Sequence, residues 1–483
     1  MKKINLLLIC SLAISSLHAQ LDAVHGSIGV QGIISTPDRT PFWMRANQYG
    51  SIPLPGSSGA AIGAIRKDYD SLADNRFDWG AGAELRGDFG STSRATLIEG
   101  YLKIRYSIFE FKAGRSKDIM GLVDTTLSSG AFAMSGNALG IPKVQLSIPE
   151  YWAIPFWGRL FAIKGNFAHG WLGDLPVQYG HLANHAQTYF HQKSLYVRFG
   201  RPEWNWRLYG GFNHQVFWGD EKAVFGSQYN LSTFSTYWHA ITGLTWNHSK
   251  VGNHLGSIDL GAEIDWNNIR LSVYRQNFYD EGALYHLANI KDGLNGIVIS
   301  NTNQNETGFR LKKVLFEFLY TANQAGYPNS TYTNSGDENY YNNYEYAQGW
   351  SYKGLGLGTP FISTRTSTRQ DLPNDTSDYF NNNRVSAFHL GVQAAAGTWE
   401  FTGKCSYSFN YGTFGTSPYG HTTGRLRVPP RFGIWQRVEQ LSTYLEVHKL
   451  LDAGWDIGCI AAFDSGKLLY NSSAVILKLS RTF

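Results

Sequence analysis

Between Tyr340 and Trp350 the chain reads Tyr-Tyr-Asn-Asn-Tyr-Glu-Tyr-Ala-Gln-Gly-Trp. Tyr340, Tyr341, Tyr344, Tyr346 and Trp350 supply flat aromatic faces, interleaved with amides and the carboxylate of Glu345. That mixture suits a sugar, whose apolar ring face stacks on an aromatic while its hydroxyls pair with Asn, Gln and Glu. An ordinary aromatic-rich surface loop that packs on itself or on the barrel rim has the same composition. A second candidate is Gly424-Arg-Leu-Arg-Val-Pro-Pro-Arg431, followed by Arg437. The guanidiniums of Arg425, Arg427 and Arg431 could fork onto carboxylate or phosphate groups of an acidic polysaccharide. Salt bridges to neighbouring acids or contact with lipid headgroups would use them equally well.

Other constellations carry less. Glu99, Lys103 and Arg105 share a parity, and Glu110 and Lys112 follow. This could line a conduction path, but a ladder of mixed sign more simply pairs across strands. His181 and His185 are spaced by one helical turn, with His191 beyond. Acids or thiols at matching spacing are missing, so no metal site is expected. Gly354-Leu-Gly-Leu-Gly358 lacks the strand–helix context of a dinucleotide site and reads as a loop. The chain has no Gly-x-Ser-x-Gly, no His-Glu-x-x-His and no phosphate-cradling glycine loop. Neither enzymatic activity nor a cofactor is expected.

The elements that must hold these residues are strands. In Ser473–Phe483, Val475, Leu477, Leu479 and Phe483 fall on one parity, and Ala474, Lys478, Ser480 and Thr482 on the other. Such a period-2 run to an aromatic fits the closing strand of an outer-membrane barrel, with the ring at the lower lipid–water interface. Arg481 shares the apolar parity, which is tolerable only near that interface. In Trp399–Tyr411, Trp399, Phe401, Cys405, Tyr407, Phe409 and Tyr411 alternate with Glu400, Thr402, Lys404, Ser406, Ser408 and Asn410. Phe77–Phe89 and ten further segments repeat the pattern. A Lys or Arg on the lipid face costs roughly 2–4 kcal/mol at mid-bilayer, so the polar parity must line the lumen. The count is 16–18 strands, and a single-chain barrel favours an even number. The expected fold is all-β: a transmembrane antiparallel barrel with outer-membrane lipid around it.

The remaining signals agree. Met1-Lys-Lys followed by the apolar stretch Ile4–Leu17 and Leu17-His-Ala19 reads as a secretory signal cut after Ala19. The barrel then occupies 20–483. Charged residues make up 16% of the chain against a usual ~25%, while Trp, Tyr and Phe number 15, 28 and 28. Lys2 and Lys3 leave with the signal, taking the formal charge from +5 to +3, too weak a balance to suggest nucleic acid. Cys405 and Cys459 lie on apolar parities and read as small lipid-facing groups. Short helices are expected in 118–138, 175–190 and 282–294, where they would plug the bore or cover the periplasmic mouth. The stretch 321–384, rich in Asn, Tyr, Thr, Ser, Asp and Gly, reads as one or two long outer loops flanking a short hairpin.

Several stretches resemble the Wzi-type capsule assembly family of Gram-negative outer-membrane proteins. They are Pro41–Gly50, Glu99–Arg105, Ala113–Arg115, Leu127–Gly130, Ser135–Ala138, Pro149–Tyr151, His169–Asp174, His191–Tyr196 and Asp292–Leu294. The resemblance implies an eighteen-stranded barrel blocked by helices on the periplasmic side. It further implies a lectin that holds capsular polysaccharide at the surface, with no enzymatic step. No glycan-contacting residue carries over from it. The rival expectation is a porin or polysaccharide-permeable channel. Oligomeric state stays open.

Overall fold

The computed structural model describes residues 24–70, 76–247, 249–280, 282–303, 308–327, 337–423 and 426–483. The expected signal segment 1–19 lies outside them. Nine strands come first: β1 (Val24–Thr36), β2 (Ser58–Lys67), β3 (Phe77–Gly90), β4 (Arg94–Tyr106), β5 (Phe109–Arg115), β6 (Lys143–Ala153), β7 (Phe161–Pro176), β8 (His185–Phe199) and β9 (Trp206–Trp218). Nine more follow: β10 (Asn253–Trp266), β11 (Ile269–Asp280), β12 (Gly293–Asn301), β13 (Phe309–Tyr320), β14 (Val385–Ala396), β15 (Trp399–Asn410), β16 (Val438–Leu450), β17 (Trp455–Gly466) and β18 (Ser472–Thr482). Together they form one 18-stranded antiparallel sheet, each strand paired with its chain neighbours. Closure comes from β18 on β1, where Val30 faces Leu479 and Gln31 faces Lys478. Closure leaves no strand edge in hydrocarbon, the condition for spanning a bilayer with strands.

The period-2 pattern sorts as lipid requires. Ile28, Val30, Ile34, Leu102, Leu260 and Leu477 are exposed on the outer wall, and the free thiols Cys405 and Cys459 are exposed there too. Exposed Tyr106, Trp157, Trp206, Trp266, Phe309, Trp399, Trp455 and Phe483 ring one mouth, as an interfacial girdle does. Arg481 lies in that ring, its guanidinium carbon 5.5 Å from the centre of the Trp455 ring. This mouth carries short connections such as 107–108, 267–268 and 397–398, so it is the periplasmic one. The long connections 37–57, 116–142, 219–252, 321–384 and 411–437 all lie at the outer mouth.

Those connections fill the bore, and here the structure corrects the expected helices. Residues 118–138 form turns and irregular chain rather than a helix. Leu175–Phe190 is the top of a β-hairpin, with β7 reaching Pro176 and β8 starting at His185. Within 282–294 there is a single 3-10 turn, Ala283–His286. The described α-helices, α1 (Phe42–Arg45), α2 (Glu221–Phe225) and α3 (Thr233–Thr242), belong to outer connections, and the periplasmic ones hold, among the described residues, only the single 3-10 turns Trp157–Arg159 and Asp452–Gly454, so the plug enters from the outer side and not the periplasmic one. Irregular backbone in a bore needs partners for its N–H groups, and inward strand side chains supply them. Phe42 N donates to Asp464 (2.8 Å), Leu122 N to Asp259 (2.9 Å) and Ser129 N to Glu317 (2.6 Å). Ion pairs add to this: Asp118 meets Lys143 at 2.9 Å and Lys112 at 3.5 Å, and Asp124 meets Lys313 at 2.6 Å. Burial alone would raise the Asp118 carboxyl; Lys143 and Lys112 outweigh it and hold it below its usual range. Glycine lets the plug approach the wall, since a Cβ at Gly391 would lie 2.8 Å from Leu127 Cβ.

The charge ladder on β2–β5 is likewise paired. Arg66 reaches Glu84 at 3.1 Å and also Glu99, Lys117 reaches Glu84 at 2.7 Å, and Arg105 reaches Asp78 at 3.5 Å. It ties the wall to itself and to the plug rather than lining an open path.

Candidate functional site

Residues 337–350 turn down into the outer half of the bore, and that path splits the aromatic segment. Tyr340, Tyr341, Tyr346 and Trp350 are each 0% exposed. Trp350 stacks on Phe217 of β9 with ring centres 4.2 Å apart and donates from Nε1 to Ala133 O at 2.8 Å. Tyr340 donates to Asp292 (2.7 Å) and accepts from Asn289 (2.9 Å). Tyr341 donates to the Phe132 carbonyl and accepts from Thr359 N at 2.9 Å. Tyr346 forms an isolated bridge with Val177. The expectation that these four present faces to a sugar is therefore corrected. Their rings fill the core between plug and wall, and the hydroxyl and indole groups of Tyr340, Tyr341 and Trp350 satisfy plug polar groups.

Tyr344, between them, is 46% exposed. Its carbonyl lies 2.9 Å from His181 Nε2, and its ring sits 6.4 Å from Phe225 and 6.5 Å from His181. Phe225 in turn neighbours Trp246 and, beneath it, the buried Tyr229, these two rings lying 4.7 Å apart, and Trp246 Nε1 donates to Asn230 at 2.9 Å. Residues from three connections thus build one aromatic shelf with amides beside it. Sequence reading missed Phe225, Tyr229 and Trp246, because nothing local marks 219–252 as a partner of 340–350. A smaller shelf lies across the crown, where Tyr327 and Tyr419 pack 4.3 Å apart. Arg427 and Arg431 are exposed, and Arg427 Nε donates to Tyr419 O at 2.7 Å. Arg425 lies outside the described residues. Arg437 is not grouped with them; it pairs with Glu439 at 3.2 Å.

Buried carboxyls lie beneath this crown. Glu345 and Glu221 sit out of water and interact with each other, and burial drives both carboxyls up. Asp378 accepts from Asn339 (3.0 Å) and Thr413 (2.8 Å), and burial pushes it up to about 7. Asp292, under Tyr340, is pushed to about 6 for the same reason. His181, His185 and His191 do not converge: His181 packs on Phe225, His185 opens β8, and His191 is buried against Phe167. Among the described residues no group of three His, Cys, Asp or Glu side chains converges as a metal site would.

Direct comparison with curated protein sequences finds no match. Among solved structures, an Escherichia coli outer-membrane protein described as a carbohydrate-binding β-barrel involved in group 1 capsule assembly, Wzi, is 11% identical. That likeness covers 97% of this chain and 86% of that one with a TM-score of 0.53. OpdL of Pseudomonas aeruginosa is 8% identical over 95% of this chain and 98% of that one, with a TM-score of 0.46. The sequence profile of the capsule assembly protein Wzi matches residues 40–368, most of the described barrel and its plug. The chain is a multi-strand barrel of the Gram-negative outer membrane, and it belongs to the capsule assembly protein Wzi family.

Proposed function

We propose that this protein binds capsular polysaccharide and holds it at the cell surface, gripping the chain at the outer crown around Tyr344. One observation carries the reading: the bore is filled while an aromatic shelf is left facing out. Trp43, Leu127 and Phe132 are fully or almost fully buried in the bore, yet Tyr344 keeps nearly half its surface in water beside His181, Phe225 and Trp246. A filled bore favours attachment over a porin's conduction. The description of the E. coli relative as carbohydrate-binding supports the same reading. A polymer repeats its epitope, so weak contacts at single barrels add by avidity across many. Exposed Arg427 and Arg431 are available for acidic groups on the polymer. The polysaccharide is held and not cut.

Glycan-array binding by detergent-purified protein tests this. Saturable binding to a surface polysaccharide, weakened at least tenfold by Tyr344→Ala with Trp246→Ala, is the expected outcome. Binding that survives both changes would place the contact elsewhere.

A further inference from the structure

The plug stops short of the periplasmic mouth and leaves a chamber of about 550 Å³ beneath it. Gly121, Leu122, Val123 and Thr125 of the plug form its roof, and Pro202 of the connection between β8 and β9 lines its rim. Its walls carry Tyr151, Lys164, Arg198, Arg207, Glu263 and Arg270, all from the periplasmic ends of β6–β11. The size falls in the range that holds a small ligand or a short saccharide, ~300–1,000 Å³.

The charges sort into two groups. Arg207 reaches Glu263 at 3.2 Å and Asp265 at 2.6 Å, and Arg270 reaches Asp265 at 2.6 Å. Two arginines and two acids there cancel. Lys164 and Arg198 are different: among the described residues neither has a carboxylate within 4.0 Å, although both face the chamber. Asp259, above them on β10, accepts from Leu122 N and Gln276 Nε2 on one carboxylate oxygen, while its other oxygen has no hydrogen-bond partner and touches neither cation. Lys164 and Arg198 instead flank one ring, with Lys164 Nζ 4.8 Å and Arg198 Cζ 5.8 Å from the centre of Tyr151. Arg198 Nε and the Tyr151 hydroxyl are buried without a hydrogen-bond partner. Tyr209 packs edge-on to Tyr151 at 5.5 Å.

Unsatisfied buried donors and two cations with no contacting carboxylate cost free energy unless something anionic completes them. The aromatic faces beside them add stacking area suited to a sugar ring. We infer that this periplasm-facing chamber binds an acidic saccharide unit, its carboxylate held by Arg198 and Lys164 and its ring against Tyr151 and Tyr209. The site lies at the opposite mouth from the Tyr344 shelf and does not depend on what the crown binds. It gives the barrel a way to hold an acidic glycan on the periplasmic side of the membrane as well.

Calorimetric titration of the purified full-length barrel with oligogalacturonate, against a neutral maltooligosaccharide of equal length, tests the inference. Wild type is expected to bind the acidic chain saturably, at least tenfold more tightly than the neutral one and more weakly as salt rises. Arg198→Gln with Lys164→Gln should weaken that binding at least tenfold, with heat-modifiable migration confirming an intact barrel. The double change Tyr344→Ala, Trp246→Ala separates the mouths: binding that it abolishes belongs to the crown and overturns the chamber assignment. Equal affinity for the neutral chain, or full displacement by equimolar inorganic phosphate, overturns it too.

Discussion

Trp350 lies flat against Phe217, the two planes tilted by only 19°. One of the five aromatics offered for a sugar is thus the bolt that fastens the largest outer loop to the barrel wall. Tyr344, six positions earlier, is the one left to the solvent side. Trp350→Ala should therefore act on stability, by about 3–5 kcal/mol for a buried Trp, and Tyr344→Ala by less than about 0.5 kcal/mol. Urea unfolding in detergent and limited proteolysis of the crown separate the two. Equal effects of both changes would contradict the assignment.

The buried carboxyls make the crown sensitive to pH. Asp378 has a folded value near 7 against an ordinary 3.8. Folded protein therefore holds more protons than unfolded protein between those values. The crown's stability is full at the acid end and falls as pH rises through about 7, by on the order of 4 kcal/mol at most from this group. Amide exchange in 337–384, corrected for intrinsic rate, should be faster at pH 8 than at pH 5.5. Asp378→Asn should flatten the difference.

Glu317 anchors the plug, accepting from Ser128 Oγ at 2.7 Å and from Ser129 N, with the Tyr274 hydroxyl donating as well. Glu317→Ala would orphan three buried donors, at about 1–3 kcal/mol each. Wild-type protein in planar bilayers should be silent, and the variant should show stepwise openings as the plug loosens. Stepwise conductance by the wild type would restore the channel reading.

Cys405 sits midway along β15 on the outer wall, facing Thr443 across the pair with β16. Cys405→Arg should cost about 2–4 kcal/mol and lower assembled barrel in the membrane, while Ser408→Arg points into the lumen and should fail through crowding instead. A fluorophore on Cys405 should be quenched by brominated acyl chains and not by iodide. Iodide quenching would place this wall in water.

How much of this was legible in the chain follows from what constrains each part. Lipid forbids charge on one parity, so Phe401, Cys405 and Tyr407 against Lys404, Ser406 and Ser408 disclose strand and facing together. At the top of β7 and β8 both faces meet crown or water, the alternation lapses, and Leu175–Phe190 passes for a helix. The plug has no period of its own, because its backbone is satisfied by side chains far away in sequence, as Ser129 is by Glu317. Tyr340 and Tyr344 are the same residue four positions apart, and only the descent of the loop into the bore decides which one sees solvent. Lys164 and Arg198 look unremarkable on their strands; the lack of an acid opposite them appears only once six strands meet.

Attachment of polysaccharide is the centre of this account, and the partition of capsule between cells and medium tests it most directly. In a strain lacking this protein, capsule should be made and exported in normal amount but recovered mainly from the medium. Wild-type protein should return it to the cells, and the Tyr344→Ala, Trp246→Ala form should return little. Capsule that stays on the deletion strain would contradict the account.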